Sequence, residues 1–190
     1  MAFPTLIMLA GPNGAGKTTF YSAYLQDKGL PFINADRIAS ELKFDAYSAA
    51  DYADRLRAAL LDKQESFISE TVFSDPNGHK LNFLRKAVEH GYVVTLIYIG
   101  IASSDLSRER VATRVLAGGH DVPVEKLTAR YQRSLQNLGN AARFLPRVIL
   151  FDNSDFSEPF RFVAEFRNGK LIRKTNEIVP DWAMPCLSRA

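Results

Sequence analysis

Apolar positions along this chain follow two alternating rhythms. In one they run together in short blocks: Leu6-Ile-Met-Leu-Ala10, Tyr92 to Ile99, and the core of Arg147-Val-Ile-Leu-Phe-Asp152. Such blocks predict strands, and the second, almost continuously apolar and β-branched, predicts one buried on both faces. Pro31-Phe-Ile-Asn-Ala-Asp36 and Glu65-Ser-Phe-Ile-Ser-Glu70-Thr71 predict two shorter strands that end in polar residues. In the other rhythm, Ala49, Ala53, Leu56 and Leu60, and then Leu81, Leu84 and Val88, recur at helical spacing. Thr19 to Lys28 predicts a helix closed by Gly29, and Gly91 stops the helix of Leu81. A basic helix over Ser104 to Leu116 is broken by Gly118-Gly119-His120. Pro123 then opens another with the stripe Val124, Leu127, Tyr131, Leu135 and Leu138. Phe160 to Phe166 and Lys170 to Lys174 flank Asn168-Gly169, which predicts a hairpin.

Strands alternating with helical crossovers require an α/β fold: three layers, a mostly parallel central sheet and helices on both faces. The expectation is one domain over residues 1–190, with a helical lid over about 104–143 and a C-terminal β-hairpin over about 159–175. In such sheets ligands gather at the carboxyl ends of the strands.

Composition narrows the setting. With 46% hydrophobic and 24% charged residues the chain can bury a core, which excludes a disordered segment. A single cysteine, Cys186, allows no internal disulfide, and the N-terminus shows no signal segment, so a cytoplasmic location is expected. Apolar runs stop short of the about 20 residues that cross a bilayer, so no membrane is expected. The net charge of +3 and pI near 9.0 suit phosphorylated small molecules. Arg108, Arg110, Arg114, Arg130, Arg133, Arg143 and Arg147 crowd one stretch, which argues for local anion chemistry and against a nucleic-acid face.

The chemistry begins behind the first predicted strand, at Gly11-Pro12-Asn13-Gly14-Ala15-Gly16-Lys17-Thr18-Thr19. Glycines at these offsets let backbone N–H groups turn inward around a polyphosphate, and the following helix points its positive end at the same anion. Lys17 adds a point charge near the β/γ-phosphates, Thr18 offers Mg²⁺ a hydroxyl, and Thr19 adds a second hydroxyl. ATP and Mg²⁺ are therefore the expected cofactors. Phosphoryl transfer also needs cations over the migrating group and a carboxylate to orient or deprotonate the acceptor. Asp36, closing its predicted strand, fits the carboxylate. Glu70 and Thr71, closing the next, fit contacts to acceptor or metal-bound water. Arg114 and Arg130 bracket the glycine break and fit the cations, with Arg110, Arg133 and His120 as further substrate contacts.

In order along the chain, the phosphate loop, Asn34-Ala35-Asp36, Ser69-Glu70-Thr71-Val-Phe-Ser74, and Arg114 through Gly118-Gly119-His120 to Arg130-Tyr131, Arg133 and Ser134 resemble the zeta-toxin family. The lid pattern is similar to its small chromosomal members. Zeta toxins are P-loop kinases that use ATP and Mg²⁺ to phosphorylate an amino-sugar hydroxyl of UDP-N-acetylglucosamine, and a small antitoxin restrains them. The resemblance implies Lys17 and Thr18 for ATP and Mg²⁺, Asp36 for activating the sugar hydroxyl, Glu70 and Thr71 for the acceptor, and lid arginines over the γ-phosphate. Two other classes stay open: an ATPase switch with Asp152 as its magnesium carboxylate, and a polynucleotide or nucleoside kinase.

Overall fold

The structure is a computed structural model and describes residues 3–116 and 123–187. Among these residues a seven-stranded sheet runs in the order β2-β3-β1-β4-β5-β6-β7. The strands are β1 (Thr5–Ala10), β2 (Phe32–Ile33), β3 (Phe67–Thr71), β4 (Val93–Gly100), β5 (Arg147–Asp152), β6 (Arg161–Arg167) and β7 (Lys170–Lys174). The first five pair in parallel, with β1 held between β3 and β4. The hairpin then extends the sheet, because β6 pairs antiparallel with both β5 and β7. The α-helices are α1 (Lys17–Tyr24), α2 (Ala35–Leu42), α3 (Ala46–Asp62), α4 (His79–Glu89), α5 (Ser104–Leu116), α6 (Val124–Ala141) and the short α7 (Met184–Leu187).

The two-residue period of the strands sorts the core into two layers. From β1, Leu6, Met8 and Ala10 join Leu96, Tyr98, Val148 and Leu150 on one face, covered by residues of α3, α4 and α6. Ile7 and Leu9 join Ile97 and Ile99 on the other, covered by Phe20 and Tyr21 of α1. This is the three-layer α/β arrangement that the alternating pattern predicts. No helix of the described residues is long and apolar enough to cross a membrane.

Two boundaries move, each for a local reason. The first helix ends at Tyr24, and a 3₁₀ turn over Gln26–Lys28 carries the chain to left-handed Gly29. More consequentially, β2 stops at Ile33, so Asp36 does not close the strand. Extended Asn34 takes the N-cap of α2, its Oδ1 accepting from the Arg37 backbone N–H, and Asp36 lies in the helix's first turn. An asparagine side chain competes for backbone donors more effectively than it continues a strand. Asp36 thereby sits on the positive end of a helix at the sheet's carboxyl edge.

Candidate active site

The loop from Gly11 to Gly16 leaves β1 and turns directly into α1. Gly11 adopts φ 148°, and a Cβ there would lie 2.2 Å from the Ile99 carbonyl oxygen. Gly16 adopts φ 86°, and its Cβ would lie 2.6 Å from Asn153 Nδ2. Both the backbone angle and the crowding demand glycine. Lys17, the first residue of α1, is 7% exposed, and its Nζ donates to the Pro12 carbonyl at 3.1 Å. Burial pulls its pKa below the usual lysine range; the Glu70 and Asp36 carboxylates oppose this, and Arg114 adds to it.

Glu70, at the end of β3, ties the loop to α2. Its Oε2 accepts from Thr18 Oγ1 at 2.9 Å and from Asn34 Nδ2 at 2.8 Å, while Oε1 lies 3.8 Å from Lys17 Nζ. Lys17, Thr18, Asp36 and Glu70 line one cavity of about 570 Å³, whose walls continue through Arg110 and Arg114 of α5 to Asn153 and Phe156. Asn13 Oδ1 is buried there without a hydrogen-bond partner among the described residues. Such an orphan marks a surface completed by water or ligand.

A second cavity of about 360 Å³ shares Glu70 and Val72 with the first. Thr71, Arg57, Lys80, Arg130 and Arg133 line it. The 4% exposed Arg57 donates through Nε to Ser69 Oγ at 2.6 Å and through Nη2 to the Glu70 carbonyl at 3.1 Å, fixing the end of β3 from α3. Lys80 and Arg57 both bind Asp54. Burial, followed by the Arg57 charge, pulls the Lys80 pKa below the usual lysine range against the pull of Asp54.

The residues singled out in the sequence thus divide between the two cavities. Thr18, Thr19, Asp36, Arg110 and Arg114 face the first, Thr71, Arg130 and Arg133 the second, and Glu70 both. Arg110 is anchored: its Nη1 donates to the Asn153 carbonyl at 2.7 Å, its Nη2 to that of Ser154 at 3.1 Å, and its guanidinium lies 4.2 Å from the Phe156 ring centre. Thr71 Oγ1 accepts from the Phe73 N–H, and Arg133 Nε donates to the Ser74 carbonyl. His120 lies outside the described residues. Asp152 is committed elsewhere, to Trp182 Nε1 at 2.9 Å, Ser154 Oγ at 2.6 Å and Arg161 at 3.5 Å, which removes support for a switch-type magnesium carboxylate. Sequence reading placed Asn34 in the Asn34-Ala35-Asp36 stretch without a role, and missed Arg57, Lys80 and Asn153. Asn34 and Asn153 each follow a strand and carried a signal; Arg57 and Lys80 look like any helix cations.

The donor set fits the expected cofactors. Among the described residues no three His, Cys, Asp or Glu side chains cluster as a metal cage. Mg²⁺ bound with a nucleotide takes most of its ligands from phosphates and water, and the Thr18 hydroxyl beside Glu70 offers the hard oxygens it prefers.

The model of a family described as "AAA domain" matches residues 6–138. An uncharacterized protein of Haemophilus influenzae is 30% identical over 131 residues, covering 66% of this chain and 91% of that protein. Among solved structures, the AvrRxo1-ORF1:-ORF2 complex with ATP superposes with a TM-score of 0.68 at 20% identity; the match covers 91% of this chain but only 61% of the matched one. The PezAT chromosomal toxin-antitoxin system of Streptococcus pneumoniae gives 0.61 at 14% identity, covering 95% and 76%. A putative kinase from Chloroflexus aurantiacus gives 0.52 at 22%, covering 70% and 80%. These likenesses place the chain in the P-loop kinase fold.

Proposed function

Since the chain belongs to the AAA domain family, matched over residues 6–138, and has the P-loop kinase fold, we propose that it is an ATP-dependent phosphotransferase acting on a hydroxyl of a small molecule. The acceptor is UDP-N-acetylglucosamine or a related nucleotide sugar, as in the zeta toxins. One observation carries this reading: Lys17, Thr18, Asp36 and Glu70 face one cavity, which shares Glu70 and Val72 with a second lined by Arg57, Lys80, Arg130 and Arg133.

In this reading the Gly11 to Gly16 loop cradles the β- and γ-phosphates, and Lys17 neutralises charge there. Thr18 holds Mg²⁺, with Glu70 beside it; the ion's chemistry is to offset charge on the phosphate oxygens. Asp36 orients the acceptor hydroxyl and takes its proton as the γ-phosphoryl group transfers from the β-bridging oxygen to the hydroxyl oxygen, leaving ADP. Arg114 stabilises charge on the migrating group from the nucleotide side. Arg130 and Arg133 approach from the acceptor side, where guanidinium suits a diphosphate. The lid is confined to the Arg114-bearing end of α5 and the connection to α6, in which His120 falls, because α6 packs Leu138 and Ala141 into the core. A small antitoxin is the expected protein partner, and the cytoplasm the expected location.

The test is a panel incubation of the purified protein with ATP, Mg²⁺ and UDP-sugars, nucleosides or oligonucleotides. Mass spectrometry is expected to find a UDP-sugar heavier by one phosphate. Phosphorylation confined to nucleosides or oligonucleotides would replace the nucleotide-sugar assignment, and no phosphorylated product at all would refute the kinase.

A further inference from the structure

The family match ends at residue 138, yet a wall of the nucleotide cavity comes from beyond it, from the segment just after β5. Its central residue is Asn153, 6% exposed and bonded on every polar group. The side-chain Nδ2 donates to the Ala15 carbonyl of the glycine loop at 2.9 Å, across 138 positions of sequence. The side-chain Oδ1 accepts from the Phe160 N–H at 3.4 Å. Its backbone N–H donates to the Gly100 carbonyl at 2.9 Å, and its carbonyl accepts from Arg110 at 2.7 Å. The residue's backbone is therefore held by β4 and α5 and its side-chain amide by the Phe160 N–H, and its hydrogen bond to the phosphate loop is the one to Ala15.

That bond has a directional consequence. In a trans peptide the C=O of one residue and the N–H of the next point in opposite directions. Fixing the Ala15 carbonyl towards Asn153 turns the Gly16 N–H away from Asn153, where an anion can take it. Gly16 has no room for a side chain because Asn153 Nδ2 occupies that space. The glycine and the asparagine are two halves of one arrangement.

We propose that Asn153 is a positioning residue of the nucleotide site, holding the Ala15–Gly16 peptide in its anion-receiving orientation from outside the family-matched region. This rests on the nucleotide-binding reading above. It predicts a defect in ATP affinity, not in the number of competent molecules or in the acceptor side.

The experiment is calorimetric titration of the full chain with ATP and Mg²⁺, comparing wild type with Asn153→Ala and Asn153→Asp. The aspartate keeps the shape but has no N–H to give Ala15, so it serves should the alanine variant fail to fold. Wild type is expected to bind one ATP per chain. Both variants are expected to bind with unchanged stoichiometry and a Kd raised about tenfold or more, the effect of losing one buried hydrogen bond at a charged ligand's site. In turnover, KM for ATP rises while kcat and the acceptor KM stay close to wild type. A merely structural role would do the reverse, lowering stoichiometry at the wild-type Kd. Either that result or a wild-type Kd in both variants overturns the proposal alone. Failure of wild type to bind ATP overturns the nucleotide reading, and this proposal with it.

Discussion

The two cavities meet at Glu70 but are made in different ways. The cavity we assign to the nucleotide is floored by backbone, the glycine loop and the start of α1, and walled by side chains of α2, β3, α5 and the segment after β5, among them Asn153, which pins the loop. The cavity we assign to the acceptor is lined by the run from Glu70 to Pro76 and by the cationic side chains of Arg57, Lys80, Arg130 and Arg133, which α3, α4 and α6 bring to it. A backbone cradle recognises what every polyphosphate shares, whereas an assembled set of side chains can vary with the acceptor. The first therefore speaks to reaction class and the second to substrate.

The sharpest way to break this contrast is Lys17→Ala. Phosphoryl transfer and tight ATP binding are both expected to vanish while circular dichroism and cooperative melting persist; a variant with full turnover removes the cradle from the account. Next in size, Asp36→Asn is expected to retain ATP affinity and lose kcat by a factor on the order of a hundred or more, as the loss of a general base does. Equal kcat would leave Asp36 as a first-turn carboxylate that merely favours the helix dipole.

Two substitutions sharpen the acceptor side. Arg57→Ala removes a buried guanidinium that holds Ser69 and the Glu70 carbonyl, and chemical denaturation is expected to show a loss of about 3 kcal/mol. Arg130→Ala is expected to lower kcat/KM for the acceptor about tenfold, with ATP affinity unchanged in titration. An affinity defect for ATP alone would move Arg130 to the nucleotide side.

The smallest effect is one of pH. Burial holds the Lys17 pKa below 10.5, so between the lowered value and 10.5 the unfolded chain binds more protons than the folded one. Stability from this group therefore rises with pH across that window. Wild type is expected to gain on Lys17→Met in denaturation midpoints as pH climbs towards 10.5; a constant difference would mean that Lys17 titrates normally.

The same contrast decides what could be read from the sequence. The order of strands and helices was legible because burial on two faces forces the alternation of Leu6, Met8 and Ala10 with Ile7 and Leu9. The glycine loop was legible because local backbone geometry restricts residue choice at fixed spacing. Asp36 was found, but at the wrong kind of position, because an asparagine cap two residues earlier outcompeted strand continuation. Arg57 and Lys80 were not legible: only the packing of α3 and α4 against β3 separates them from solvated surface charges. Asn153 was visible only as the residue after a strand, since its partner Ala15 is brought to it by the sheet.

The central claim is that the terminal phosphoryl group passes from the cradle to an alcohol. ATP carrying heavy oxygen in its γ-phosphoryl group, incubated with the protein, Mg²⁺ and UDP-N-acetylglucosamine, tests it directly. The account predicts the label in a new phosphate ester on the sugar nucleotide, formed by wild type and almost absent with Asp36→Asn. Label recovered only in inorganic phosphate, at the same rate with and without the sugar nucleotide, would contradict it.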